Sequence, residues 1–398
     1  MFDITIEQKV LMKALEYLEP TVGKNANSLG DNCISMKTTG TGSLEMYTTN
    51  TIEFTKLEAI VSAGGNTQEQ APLIDFKRFK AIIGSIPQNE HVSLKANVND
   101  LLINFSLKPT PIKLVGCVNG MLPLPSFQTG VDNISIPKAL VEDALNCACG
   151  IIVDSTSAPI YNCVRIATNG IGVEVTGLDY SGKRTFVKTG TATNNNTTNN
   201  VLIEASKLKK AMKIFEDFYE MEFDMSSNVV MINGADPVPL IQQKAAGMIT
   251  DIVYYARRIN GVYPVNIAQN FVPAPIEFSE INKEEVLNTI ARVKAIEDKT
   301  ISNDTVQFEV VGNAVTISLT SAYGNIEDKI VAENTINNQI SSVFKYSHLS
   351  DIMKVINGDT FEIGVLPNHP SHYVIKSKGS NDVMFTISGI AGQQNATP

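Results

Sequence analysis

Gly177-Leu-Asp-Tyr-Ser-Gly182-Lys183-Arg184 comes within one residue of the phosphate-cradling pattern GxxxxGK[ST], a signature of nucleotide hydrolysis. Arg184 stands where that chemistry needs a hydroxyl for the metal ion, and a β-rich stretch follows where a helix should present its N-terminus. The motif is therefore set aside. His369 and His372 could pair on a metal, but they fall in an expected loop between Pro367 and Pro370, with no cysteine nearby and no helix to align the imidazoles. The five cysteines, at 33, 117, 147, 149 and 163, are odd in number and lack CxxC spacing, which fits reduced, mostly buried thiols rather than a disulfide framework or a zinc site. No nucleophile and base are spaced for catalysis. The chain is expected to be no enzyme and to need no cofactor or metal.

The remaining candidate chemistry is cationic. Lys77, Arg78 and Lys80 flank the apolar residues Phe76, Phe79, Ile83 and Ile86 of one expected helix, and Lys207, Lys209, Lys210 and Lys213 flank Leu208, Ala211, Met212 and Phe215 of another. Such runs are commonly a helix's solvated face, but recurrence on equivalent helices favours a shared role.

Those helices belong to a repeated plan. Pro72–Pro87 reads as a short strand, an N-cap at Asp75 and an amphipathic helix ended by Gly84 and Pro87. Val201–Phe215 and Val343–Ile356 repeat it, and an earlier helix precedes each copy: from Glu7, after Pro137 and from Asn282. This gives three repeats of domain size, each with two strand-then-helix units. The remaining strands are short and separated by Asn, Gly and Pro clusters, as in antiparallel sheet. The expected boundaries are 1–125, 126–272 and 273–390, with a polar tail at 391–398. The second segment carries an Asn/Thr-rich loop at 191–200 and an insertion, loop or short helix, at 244–261.

With 398 residues, 43% of them hydrophobic, the chain can bury several cores. No stretch reaches the roughly 18–20 apolar residues of a membrane span, and a cytoplasmic location is expected. The net charge of -9 argues at first against nucleic acid. Split at 125 and 272, however, the chain holds 11 basic against 12 acidic residues, then 12 against 14, then 9 against 15, giving -1, -2 and -6. An acidic protein can still present one basic surface if its cationic helices face the same way.

Several stretches, in order and spacing, resemble the bacterial DNA polymerase sliding clamps, the beta subunits of DNA polymerase III. They are the N-terminal strand and helix with Lys13 and Lys24, Leu44–Phe54, Leu73–Pro87, Gly116–Phe127 and Gly261-Val-Tyr-Pro-Val265. The resemblance covers nearly the whole chain. It implies an α+β fold of three clamp domains, with antiparallel sheets outside and two helices per domain inside, closing a six-domain ring as a head-to-tail homodimer. It implies sequence-independent duplex DNA as partner, held loosely by Lys13, Lys24, Lys77, Arg78, Lys80, Lys207, Lys209, Lys210 and Lys213. A replicative polymerase and a clamp loader would dock through short peptide motifs, without a membrane. Gly182, Lys183, Arg184, Thr185, Phe186 and Pro264 match the walls of the family's peptide pocket. Phe385-Thr-Ile-Ser-Gly-Ile390 replaces the usual Met-Pro-Met-Arg, so Phe385, Ile387 and Ile390 would supply apolar wall. The resemblance places Ile112 and Leu114 against Ala295 and Ile296 of a second copy. The alternative from another class is a β-rich repeat protein with a structural or interaction role that never encircles DNA.

Overall fold

A computed structural model of the chain describes residues 1–23, 30–117, 122, 133–149, 152, 159–178, 184–192, 200–224, 229–235, 249–257, 259, 263, 276–297, 304–366 and 369–390. Lys24, Gly182, Lys183, Pro264 and the tail 391–398 lie outside them.

Six helices are seen among the described residues, each entered directly from a strand. Asp3–Glu7 leads into α1 (Gln8–Leu18), Ile74–Asp75 into α2 (Phe76–Gly84) and Asn133–Pro137 into α3 (Lys138–Cys149). Asn200–Glu204 leads into α4 (Ala205–Ile214), Phe278–Asn282 into α5 (Lys283–Ile296) and Gly324–Lys345 into α6 (Tyr346–Val355). Local chemistry sets these starts. The Asp75 carboxylate accepts the Arg78 N–H at 2.9 Å, and the Asn282 side chain accepts the Glu285 N–H at 3.0 Å. Apolar residues at helical spacing then turn inward: Phe76, Phe79 and Ile83 on α2, Leu208, Ala211 and Ile214 on α4, Val286, Ile290 and Val293 on α5. Each large side chain so buried contributes about 1.5–3 kcal/mol.

The described residues form two compact units. Unit 1 comprises 1–139, 192–197 and 206–258; unit 2 comprises 140–191, 198–205 and 259–398. Unit 1 holds an eight-stranded antiparallel sheet in the order Asn133–Pro137, Glu220–Asp224, Val229–Ala235, Ile249–Arg257, Glu53–Ile60, Ser43–Thr49, Cys33–Thr38 and Ile74–Asp75. Its second sheet runs Ala63–Gly64, Asp3–Glu7, His91–Ala96, Asp100–Phe105, Lys108–Val115. Unit 2 has an eight-stranded sheet in the order Asn200–Glu204, Cys163–Asn169, Gly172–Leu178, Arg184–Thr191, Val383–Ser388, His369–Ser377, Thr360–Leu366 and Phe278–Asn282, plus the long hairpin Thr305–Ser321 with Gly324–Lys345. The middle stretch contributes to both units because its edge strands continue its neighbours' ladders. Ile249–Arg257 pairs with Glu53–Ile60, and Arg184–Thr191 pairs with Val383–Ser388.

The structure departs from the sequence reading in two segments. Residues 244–261, expected to be an inserted loop or short helix, contain the central strand Ile249–Arg257. Ile252, Tyr254 and Ala256 alternate inward, but the register shifts between Thr250 and Val253, and Asp251 has φ +52°, so the alternation is broken where the strand begins. His369 and His372, expected in a loop, belong to the strand His369–Ser377. Of the Asn/Thr-rich stretch, residues 193–199 lie outside the described residues, and its ends are strand.

The near-match to a phosphate loop begins and ends in two paired strands. Gly172–Leu178 pairs with Arg184–Thr191, so a strand follows where phosphate binding needs a helix N-terminus. Gly177 is required there: a Cβ at this position would lie 2.2 Å from the ring of its cross-strand partner Phe186.

Candidate nucleic-acid interface

The described cations of the candidate set lie on three helices of unit 1. α1 and α2 touch directly, with the Gln8 amide donating to the Ile83 carbonyl at 2.9 Å in a buried bond. α1 meets the end of α4 through Lys13, which pairs with Glu216 at 3.2 Å and Asp217 at 2.8 Å, and through Tyr17, whose hydroxyl donates to Asp217 at 2.7 Å.

These contacts divide the cations. Lys80 is paired with Glu19 at 2.9 Å, and Lys210 is paired with Glu53. Lys207, expected around the polar face of α4, is buried at 7% exposure, because it stands one turn before Ala211 on the inward side of the helix. Lys77, Arg78, Lys209 and Lys213 are exposed and make no ion pair among the described residues. A positive charge already matched by a carboxylate attracts phosphate weakly, so these four are the candidate cations that remain open to an anionic partner.

Two acidic anchors set this division. Desolvation pushes the Glu53 carboxyl upward, but hydrogen bonds from Lys210, Tyr254 and Asn50 outweigh it and hold the group below the ordinary glutamate range. Glu53 is only 4% exposed, and the Tyr254 hydroxyl donates to it at 2.6 Å. Hydrogen bonds from Lys13 and Tyr17 hold the Asp217 carboxyl below the ordinary aspartate range. Partial burial disfavours the Lys13 ammonium, but its bonds to Asp217 and Glu216 prevail and keep it charged above the ordinary lysine range. Sequence reasoning missed both anchors. One signal was present: Glu216 and Asp217 follow the C-terminus of α4, where the helix dipole disfavours anions, so a cation from elsewhere is needed to hold them.

A cleft of about 670 Å³ in unit 1 is lined by Lys210 and the exposed Lys213 with Glu19, Asp31, Asn50 and Ile52. Its mixed charge suits a solvated margin better than a phosphate seat.

Releasing Lys13 tests the division directly. Neutralising its acidic partners with Glu16→Gln, Glu216→Gln and Asp217→Asn is expected to strengthen duplex DNA binding and to steepen the dependence of log affinity on log salt by roughly 0.9, one further phosphate contact. Fluorescence anisotropy of a labelled duplex across a salt series reads this. An unchanged slope would mean that Lys13 does not face DNA.

The candidate peptide pocket and dimer surface fare differently. Phe186 stands opposite Phe385 in the ladder, and both, with Ile387, are fully buried, so they are sheet core rather than open wall. Arg184 and Thr185 open a strand, and Ile390 is half-buried, its N–H donating to the Val343 carbonyl at 2.8 Å. Ile112 and Leu114 are half-buried on Lys108–Val115, a strand that ends its sheet. Ala295 is exposed, and the half-buried Ile296 accepts the Ser321 hydroxyl at 2.7 Å through its carbonyl. Among the described residues, no group of three His, Cys, Asp or Glu could hold a metal ion, and no helix is long and apolar enough to cross a membrane.

The repeated strand-helix plan with its long antiparallel sheets is the α+β fold of the bacterial sliding clamps. Among solved structures, the DNA polymerase III subunit beta from Pseudomonas aeruginosa matches 98% of this chain and 100% of its own, with a TM-score of 0.79 at 11% identity. The beta subunit from DNA polymerase of Streptococcus pyogenes matches over the same shares at 0.78 and 17%, and the DNA polymerase sliding clamp from Bacillus subtilis matches 98% of this chain and 99% of its own at 0.76 and 16%. No family sequence model matches the chain, and no curated protein matches it by sequence.

Proposed function

We propose that the chain is a DNA sliding clamp, a non-catalytic processivity factor of the replicative polymerase. It closes head-to-tail as a homodimer around duplex DNA, holds it without sequence preference, and tethers polymerase and clamp loader through short peptide motifs in the cytoplasm. The observation that carries this reading is the clamp fold over 98% of this chain and the full length of the solved clamps it matches. The four exposed cations support it, since loose phosphate contacts suffice when a ring cannot fall off. The strand Lys108–Val115 ends its sheet among the described residues, an edge that a second copy can extend, with Ile112 and Leu114 on it and Ala295 and Ile296 as the partner face. The peptide site takes Gly182, Lys183, Arg184, Thr185, Pro264 and Ile390, while Phe186, Phe385 and Ile387 belong to the sheet core.

Light scattering across a concentration series is expected to give a mass near twice 43.2 kDa. The protein should also remain on closed circular DNA through gel filtration and leave once the circle is linearised. A protein retained equally on both forms binds DNA without encircling it, and one retained on neither is a scaffold. Either outcome overturns the proposal.

A further inference from the structure

Asn357-Gly358 follows the third copy of the strand-helix unit and is one of three Asn-Gly pairs among the described residues. The other two are held in ladders. Asn169 stands opposite Gly172, and Asn233 and Gly234 stand opposite Glu222 and Met221 within Val229–Ala235. Asn357 and Gly358 belong to no strand or helix: α6 stops at Val355 with Ile356 as its C-cap, and the next strand starts at Thr360. Both residues are exposed. Among the described residues nothing bonds the Asn357 side chain or the Gly358 N–H. Gly358 takes a left-handed φ of +91°, and a Cβ built there would meet nothing nearer than the Thr360 carbonyl oxygen at 4.0 Å. The amide nitrogen after Asn357 is therefore open to water and lacks the β-carbon that would shield it in any other residue.

From this contrast we infer that Asn357 is a modification site, the position where deamidation concentrates among the three pairs. Water is the co-reactant. The Gly358 nitrogen, losing its proton, attacks the side-chain carbonyl carbon of Asn357. The bond from that carbon to the side-chain nitrogen breaks, the nitrogen leaves with the proton as ammonia, and a five-membered succinimide closes. Water opens the ring at the side-chain carbonyl to give aspartate, or at the main-chain carbonyl to give isoaspartate, whose chain runs through the side-chain carbon. No atom changes oxidation state. In a ladder, pairing fixes the backbone torsions that must turn to close the ring; outside one they are free to turn. The product lies between two bonds from one residue. The Lys283 N–H donates to the Asp359 carbonyl at 2.8 Å, and its ammonium donates to the Ile356 carbonyl at 2.9 Å. The new carboxylate also adjoins the C-terminus of α6, where the helix dipole disfavours an anion. This inference does not depend on the clamp reading.

The full-length protein is incubated folded and, in parallel, unfolded in urea at the same mildly alkaline pH. After digestion, the peptides bearing Asn169, Asn233 and Asn357 are followed by mass spectrometry. Deamidation makes a peptide heavier by the difference between a hydroxyl and an amino group, and chromatography separates isoaspartate from aspartate. Folding is expected to slow conversion at Asn169 and Asn233 several-fold and to leave Asn357 close to its unfolded rate, so that Asn357 dominates the folded sample. Asn357→Gln, which moves the amide one carbon farther from the nitrogen at an exposed position, should remove that product and leave the slow conversion at the other two sites. Overturning results are an Asn357 slowed by folding as much as Asn169, or conversion in the folded protein that is faster at Asn169 or Asn233 than at Asn357.

Discussion

Glu53→Leu is expected to destabilise the protein by about 2–4 kcal/mol, the range for breaking a buried, hydrogen-bonded charge site by removing one partner. Glu53 begins the strand Glu53–Ile60, and a tight turn delivers it. The Asn50 side chain accepts the N–H groups of Ile52 and Glu53 at 3.1 and 2.8 Å, and Thr51 takes a left-handed φ of +71°. From there the carboxylate gathers Lys210 of α4, Tyr254 of the neighbouring strand and Asn50 itself. Leucine at 53 removes the carboxylate that accepts the buried Tyr254 hydroxyl. The melting transition should fall by on the order of 10 °C in calorimetry. Adding Tyr254→Phe and Lys210→Met should recover much of that loss, because two of the three groups that donated to the carboxylate then need no acceptor. If the triple variant is no more stable than Glu53→Leu, the cost lies in the turn instead. The pH dependence has a definite sign. The folded pKa of Glu53 lies below its unfolded value, so its stabilisation is fully present above about 4.5 and is lost as pH falls through the lower folded value. The stability difference between wild type and Glu53→Gln should therefore shrink on acidification below that range.

The helices were legible because their signals are local. Asp75 and Asn282 announce α2 and α5 by chemistry that acts within three residues, and the apolar spacing of Phe76, Phe79 and Ile83 fixes the buried face. What was not legible depends on pairing at long range. Glu53 and Tyr254 are 201 positions apart, and nothing local to either indicates that they share a bond with Lys210. Lys207 and Lys209 look alike in sequence, yet a rotation of two positions about α4 buries one and exposes the other. Ile249–Arg257 was obscured by its bulge, since a period-two pattern offset by a register shift reads as irregular chain. The family resemblance puts Phe186 on a pocket wall, and apolar type puts Phe385 and Ile387 there. Strand pairing decides that they face the core.

Replacing Lys77, Arg78, Lys209 and Lys213 together with glutamine is expected to abolish most of the salt-sensitive DNA binding. Each cation that neutralises a duplex phosphate contributes roughly 0.9 to the slope of log affinity against log salt, so the four should remove about 3–4 from it. Over a fourfold rise in salt, from about 50 to 200 mM, a slope of that size corresponds to a change on the order of a hundredfold in affinity. Fluorescence anisotropy of duplexes of unrelated sequence should show the same loss on each, because phosphate contacts carry no base information. The informative comparison is with Lys80→Gln and Lys210→Gln. Those ammonium groups are matched by Glu19 and Glu53, so each change should move the slope by far less than one exposed cation does, while Lys210→Gln lowers stability by leaving Glu53 buried without its counter-charge. If all six positions shift the slope equally, charge on these helices acts as a diffuse field, and the division drawn by Glu19, Glu53, Glu216 and Asp217 has no bearing on DNA. A slope that falls only in the four-residue variant would instead place the phosphate backbone against α2 and α4. In that case the intramolecular ion pairs keep the helices in position without adding to the grip.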